Sequence, residues 1–209
     1  MASTASPYGF RAVNELGGLP YAGSTRQFLI DPAGYNTNIF NGSIVAINTS
    51  GYINIVTTNG DPASGAAFPA GTIGVFVGCS FVNAQGQTIY SQYYPANTAS
   101  VNGSAITAYV IDDDRAVFQV QSAGTVAQAA LGANVYLNAV QSTSTGSTTT
   151  GNSNTAVVAG SSAATTSGYA FRVVGFANTP GFSTVGDAFT DILVKFNPGA
   201  HSYSNATGI

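Results

Sequence analysis

The residues able to do chemistry are few, and each also fits a plainly structural use. Asp112, Asp113 and Asp114, followed by Arg115, form the densest charge cluster, between strand-like segments that end at Ile111 and begin at Ala116. Calcium would need about 6–8 oxygen ligands. Partners at EF-hand spacing are absent, and aspartates favour turns because their carboxylates accept from nearby backbone N–H groups. The pattern reads as a solvated hairpin turn. Asp187 and Asp191 have the residue types of a paired-carboxylate hydrolase, yet caps, turns or a salt bridge to Lys195 explain them equally well. His201, the single histidine, lies in a tail containing Pro198 and Gly199 and reads as a mobile surface residue. Cys79, the single cysteine, has no cationic sequence neighbour to lower its pKa and reads as a buried, inert thiol.

One cysteine and one histidine exclude an intrachain disulfide framework and a standard zinc site. The chain contains no nucleophile elbow, no phosphate-binding glycine loop and no zinc-protease motif. No catalytic residue, cofactor or metal ligand is assigned, and a non-enzymatic protein is expected. Tyrosines remain. Tyr90, Tyr93 and Tyr94, followed by Pro95, suit either a sticky surface for a partner or sugar or cross-strand packing. An extended strand cannot aim all three at one core.

Charge is nearly missing from the chain. Of 209 residues only 13 are charged, or 6%, against about 25% in ordinary soluble chains. The net charge of −3 comes from scattered residues, so no basic field exists to displace counterions from a nucleic acid, and direct nucleic-acid binding is not expected. With 44% hydrophobic and 11% aromatic residues, the chain has the means to fold. The N-terminus lacks the basic start and apolar stretch of a secretory signal. No apolar run approaches the ~20 residues of a bilayer crossing, so a soluble protein is expected.

Helix formers are scarce, whereas Val, Ile, Thr, Tyr and Phe abound, separated by 25 Gly and 8 Pro. The clearest strand runs from Ile73 to Val82, with Ile73, Val75, Val77, Cys79 and Phe81 on one face. Similar alternation marks 52–56, 116–121 and 190–196. Further strands are expected at 27–30, 43–47, 88–93, 106–111, 134–140, 155–159 and 169–177, about ten in all. Asn48 to Gly51 should close a hairpin. Thr125 to Leu131 offers the one plausible helical turn. The predicted fold is all-β: an antiparallel barrel or sandwich-like core in residues 26–209, preceded by an extended N-terminal arm, residues 1–25. Residues 141–168, rich in Ser, Thr and Gly, are expected to form an exposed, polar, low-complexity loop.

Several phrases carry a family likeness: SPYGFRAV at 6–13, GVFVGCSF at 74–81, SQYYP at 91–95, AVFQVQ at 116–121 and DILVKFNPGAH at 191–201. Together they resemble a family of virion structural proteins from marine tailed bacteriophages, across most of the chain outside residues 141–168. The resemblance implies a capsid decoration, or cement, protein on the outside of an expanded icosahedral shell. Its implied partners are the major capsid protein and neighbouring copies of itself in a homo-oligomer. It would be made in the cytoplasm of the infected bacterium and end on the virion's outer surface. Tyr8, Phe10, Arg11 and Tyr21 of the arm, with Tyr93 and Tyr94, are the expected partner-binding residues, the arm adding a strand to a partner's sheet or burying its rings in pockets. A tail or fibre component is the nearest alternative, and a carbohydrate-binding module a more distant one.

Overall fold

The computed structural model describes residues 3–209. Eleven strands and five short 3-10 turns make up its regular structure. The strands are β1 (Arg11–Glu15), β2 (Arg26–Ile30), β3 (Ile44–Ile47), β4 (Ile53–Ile55), β5 (Thr72–Val82) and β6 (Thr88–Ser91). They continue with β7 (Ile106–Ile111), β8 (Ala116–Gln121), β9 (Asn134–Val135), β10 (Phe171–Phe176) and β11 (Asp191–Phe196). All pair antiparallel in two sheets: a five-stranded one in the order β1-β8-β11-β10-β9, and a six-stranded one in the order β2-β7-β5-β3-β4, with β6 on the same edge of β5 as β3. Neither closes into a barrel, although the larger sheet curls until its end strands β2 and β4 touch.

Two apolar cores follow. One fills the space between the sheets and joins Ile44, Val75 and Ile111 of the larger sheet to Phe118, Phe171, Val173, Val194 and Phe196 of the smaller. The other fills the hollow of the curled sheet, where Ile30, Val45, Phe76, Cys79 and Val110 meet Ile39 and Tyr94 from loops. The larger sheet is therefore buried on both faces. This explains why β5 departs from the strict alternation expected of it. Its ladder slips once opposite β3 and again between Phe76 and Gly78 opposite β7, and each bulge turns the strand over. Ile73, Phe76 and Cys79 consequently face the hollow, while Val75 and Val77 face the inter-sheet core. Gly74 makes the first bulge feasible: its φ is +144°, and a Cβ there would sit 1.9 Å from the Ile111 carbonyl oxygen.

The segment read as an arm is built into the fold. Ser3–Gly9 lies as a strap across the body, where Gln121 Oε1 accepts from Ser6 N–H and Gln121 Nε2 donates to the Thr4 carbonyl. Phe10 is 1% exposed and stacks on Phe171 at 4.9 Å. Arg11–Glu15 then adds an edge strand to β8, and the outer edge of β1 is closed at one end where Leu19 and Pro20 fold back on it. Sequence reading missed β1 because five residues with polar neighbours and flanking glycines give no alternation of their own.

The low-complexity segment is only partly an exposed loop. Ser147 to Thr150 are exposed, but Gln141, Ser153, Thr155 and Val157 are buried. Gln141 stitches the larger sheet from inside: its Oε1 accepts from Ile44 N–H, and its Nε2 donates to the Ile44 and Val56 carbonyls, all at 2.9–3.0 Å. Polar residues enter the interior here because each is hydrogen-bonded. Residues 155–159 form isolated bridges to Ser122 and Leu137 in place of the expected strand, and residues 125–131 contribute the 3-10 turn Gln128–Ala130. The aspartate-rich turn also differs from expectation. β7 and β8 lie in different sheets, so residues 112–115 form a corner between layers and not a hairpin. Asn48–Gly51 does close a hairpin, between β3 and β4.

His201 is buried, not mobile. It is 1% exposed, packs edge-on against Phe196 at 5.3 Å, and caps a 3-10 turn by accepting from Tyr203 N–H. Burial pushes its imidazole below its ordinary 6.5, against the pull of the nearby aspartates.

Two outcomes are expected. Gln141→Ala strands Ile44 N–H and the Val56 carbonyl and should lower stability by about 2–5 kcal/mol in chemical denaturation, whereas exposed Thr148→Ala should change it by less than about 0.5 kcal/mol. Because the unfolded chain protonates His201 more readily than the folded one, its contribution holds above 6.5 and is lost as pH falls through the folded value. Melting curves between about pH 7.5 and about pH 5.5 should show a smaller decline for His201→Gln than for the parent.

Candidate docking face

Alternation along the five-stranded sheet sends Phe118, Val120, Phe171, Val173, Ile192 and Val194 inward. The intervening residues must then form the opposite face, and among the described residues no further layer of strands covers it. Arg11, Gln119 and Leu193 stand side by side on β1, β8 and β11, and Arg172 on β10 stands beside Lys195 on β11. Three of the chain's five cationic residues thus share one face. Among the described residues the only ion pair is Arg26–Asp112, at 3.1 Å, so these three cations have no carboxylate partner at contact distance. Apolar residues lie between them. Leu16, Val117, Val174 and Leu193 line a cleft of about 180 Å³ together with Asn14, Glu15, Gly17 and Gly18, and Val13 of β1 is exposed.

At one end of this face the strap supplies Tyr8. The Arg11 guanidinium lies over the Tyr8 ring at 4.6 Å from its centre, a cation–π contact that fixes the direction of an exposed charge. Tyr8 Oη and Asp191 Oδ1 are both buried without a hydrogen-bond partner, while Gln119 Nε2 donates to Asp191 Oδ2 at 3.4 Å. Burial pushes the Asp191 carboxyl above its ordinary 3.8; the nearby Gln119 amide, Tyr8 hydroxyl and Arg11 charge oppose this without cancelling it. Burial, aided by the Asp191 charge, likewise raises the Tyr8 phenol.

Of the partner-binding residues expected from sequence, only Tyr8 and Arg11 reach this face together. Phe10 lies inside the inter-sheet core, and Tyr21 packs half-buried against that core. Tyr94 is fully buried in the hollow, its hydroxyl donating to the Thr98 carbonyl at 2.8 Å. Tyr93 is half-buried and stacks on Phe40 at 5.5 Å, while Tyr90 stands out, 77% exposed. The tyrosine cluster is thus split among the core, a half-buried stack on Phe40 and solvent. Sequence reading passed over Arg172, Lys195, Leu193 and Gln119. Alternation within β11 already marks Leu193 and Lys195 as sharing a face; that Arg172 and Arg11 join them depends on strand order.

The other chemistry-bearing residues have local partners. Asp187 Oδ2 accepts from the backbone and hydroxyl of Thr184. Asp113 Oδ1 accepts from Arg115 N–H, and Asp112 binds Arg26 and accepts the Tyr203 hydroxyl. Cys79 is buried as expected, and burial pushes its thiol up to about 12. Among the described residues no three His, Cys, Asp or Glu side chains group as metal ligands, and no helix is long and apolar enough to cross a membrane.

Asp191 gives the face a pH signature. The folded chain holds that proton more tightly than the unfolded chain, so its stabilising contribution is complete below 3.8 and is lost as pH rises through the folded value. Asp191→Asn should therefore gain melting temperature relative to the parent as the pH goes from about 3.5 to about 7. A constant difference across that range would contradict the assignment.

No protein-family model, curated protein or solved structure matches the chain.

Proposed function

We propose that the protein is a structural component of a phage particle, bound to the outside of the icosahedral capsid as a decoration protein through the exposed face of its five-stranded sheet. The observation that carries this reading is the gathering of Arg11, Arg172 and Lys195 on one face, unpaired and interleaved with apolar residues, in a chain with 5 cations in all. A charge-poor body lets many copies crowd together without mutual repulsion. A few cations concentrated on one face then orient each copy toward an acidic partner surface. The cleft between Leu16 and Val174, apolar at four side chains and polar at Asn14 and Glu15, offers an anchor point for a partner side chain.

Stabilisation of the shell follows from mass action. A protein that binds assembled shells but not free subunits stabilises them by about 2.7 kcal/mol per site at a concentration a hundredfold above Kd. Repetition over the lattice multiplies that term. The body is the rigid part of the device: the strap and β1 are already engaged within the chain and so position the docking face, while the binding itself falls to side chains on it. The partners are the major capsid protein and adjacent copies in a closed oligomer. No chemical turnover is required.

The test is co-sedimentation with expanded shells of the major capsid protein encoded alongside this chain. Arg172→Glu combined with Lys195→Glu should weaken binding by at least about tenfold while leaving the melting transition cooperative. Undiminished binding would refute the docking face. Density for this chain on the tail or fibres of mature particles, with none on the shell, would replace the whole reading by the tail-component alternative.

A further inference from the structure

On the flank of the molecule the strap borders a cleft of about 210 Å³ between itself and the segment around Asn154. Its walls include Pro7, Phe189 and several alanines, and no charged side chain lines it. Polar side chains on the wall are mostly committed within the chain. Gln121 holds the strap, and Ser122 Oγ donates to the Thr190 carbonyl. Asn138 and Asn154 differ: both are exposed, and only their backbone N–H groups are hydrogen-bonded among the described residues. Two free carboxamides therefore stand over an apolar floor. Pro7 and Asn154 are shared with a second cleft of about 350 Å³, whose wall includes Tyr8, Ser147, Thr150 and Asn152 and one charged residue, Arg11, whose guanidinium lies over the Tyr8 ring.

These features restrict the ligand. An ionised group would enter the first cleft without a counter-charge, and a purely apolar molecule would leave both carboxamides unanswered. A pyranose ring meets both demands. Its C–H face packs on proline and aromatic carbon, while neighbouring hydroxyls give and take hydrogen bonds with a planar amide that carries both donors and acceptors. Continuity through Asn154 extends the site to more than one ring, and the two clefts together fall in the size range of small-molecule sites, about 300–1,000 Å³. We propose that the paired clefts bind a neutral oligosaccharide of at least two units, with Asn138 and Asn154 as its amide contacts. On a particle surface such a site would hold the virion to uncharged polysaccharide. The clefts are complete within one chain, so the proposal does not require shell docking, although Tyr8 and Arg11 on the wall of the second cleft also border the docking face.

The experiment uses the isolated full-length chain. An array of neutral, uronic-acid and sulfated oligosaccharides is probed first, and neutral hits are titrated calorimetrically against the parent, Asn138→Ala and Asn154→Ala. Saturable binding of a neutral oligosaccharide is expected, weakened about tenfold or more by each substitution. Melting temperatures should stay unchanged, because neither amide is bonded within the fold. Absence of any neutral hit would overturn the proposal. So would binding confined to anionic glycans, or neutral binding that survives both substitutions.

Discussion

Phe171 is the point through which the fold is held together. Its ring stacks on Phe10 from the N-terminal segment, meets Phe68 edge-on at 5.6 Å, and tilts against Phe196 of the last strand at 4.9 Å. Phe196 in turn touches Phe118 and His201. One aromatic cluster thus unites the start of the chain, a loop of the larger sheet, all three inner strands of the smaller sheet and the C-terminal tail. Aromatic side chains bury about 150–250 Å² each, so a chain with few leucines, one methionine and no tryptophan can still clamp two sheets. The cluster also explains why β1 is an edge strand: with Phe10 anchored, the next residues are delivered beside β8.

The second constraint is the shortage of charge. Buried backbone groups outside the ladders still need partners, and this chain meets the need with neutral side chains. Gln141 ties β3 to the end of β4, Gln121 ties down the strap, and Asn134 donates to the Thr166 carbonyl and accepts from Arg172. Amides and hydroxyls carry a smaller desolvation penalty than ions, so a segment that looks like loop by composition can run through the interior. Most ionised side chains stay at the surface, with Asp112 and Asp191 partly buried, and they act as local markers: an acidic corner at residues 112–114 and a cationic sheet face.

Those markers give the molecule a direction. The larger sheet is buried on both sides and serves as mass. The smaller sheet has one face in the core and one toward solvent, and the solvent face holds most of the cations. A body of this kind is suited to occupying area on a repeating scaffold, where each contact is modest and the number of copies supplies the total. The paired clefts lie beside the strap, and the second of them shares Tyr8 and Arg11 with the exposed face of the smaller sheet.

The all-β class, the number of strands within one, and the hairpin at Asn48–Gly51 were legible from composition, period-two patterning and turn chemistry, because these depend on neighbours a few residues apart. Burial of Cys79 was legible for the same reason. Strand order was not. Nothing local to β10 or β1 says that Arg172 and Arg11 share a face with Lys195, that residues 112–115 cross between sheets, or that Gln141 enters the interior. Such outcomes depend on which strands meet over tens of residues, and a one-residue bulge, as at Gly74, exchanges the faces of everything beyond it. Sequence by itself determined what this protein is made of: strands, neutral polar surface and scattered rings. Only tertiary structure decided which of those rings became core, and which charges were left together in solvent, because both are set by long-range pairing around one aromatic cluster.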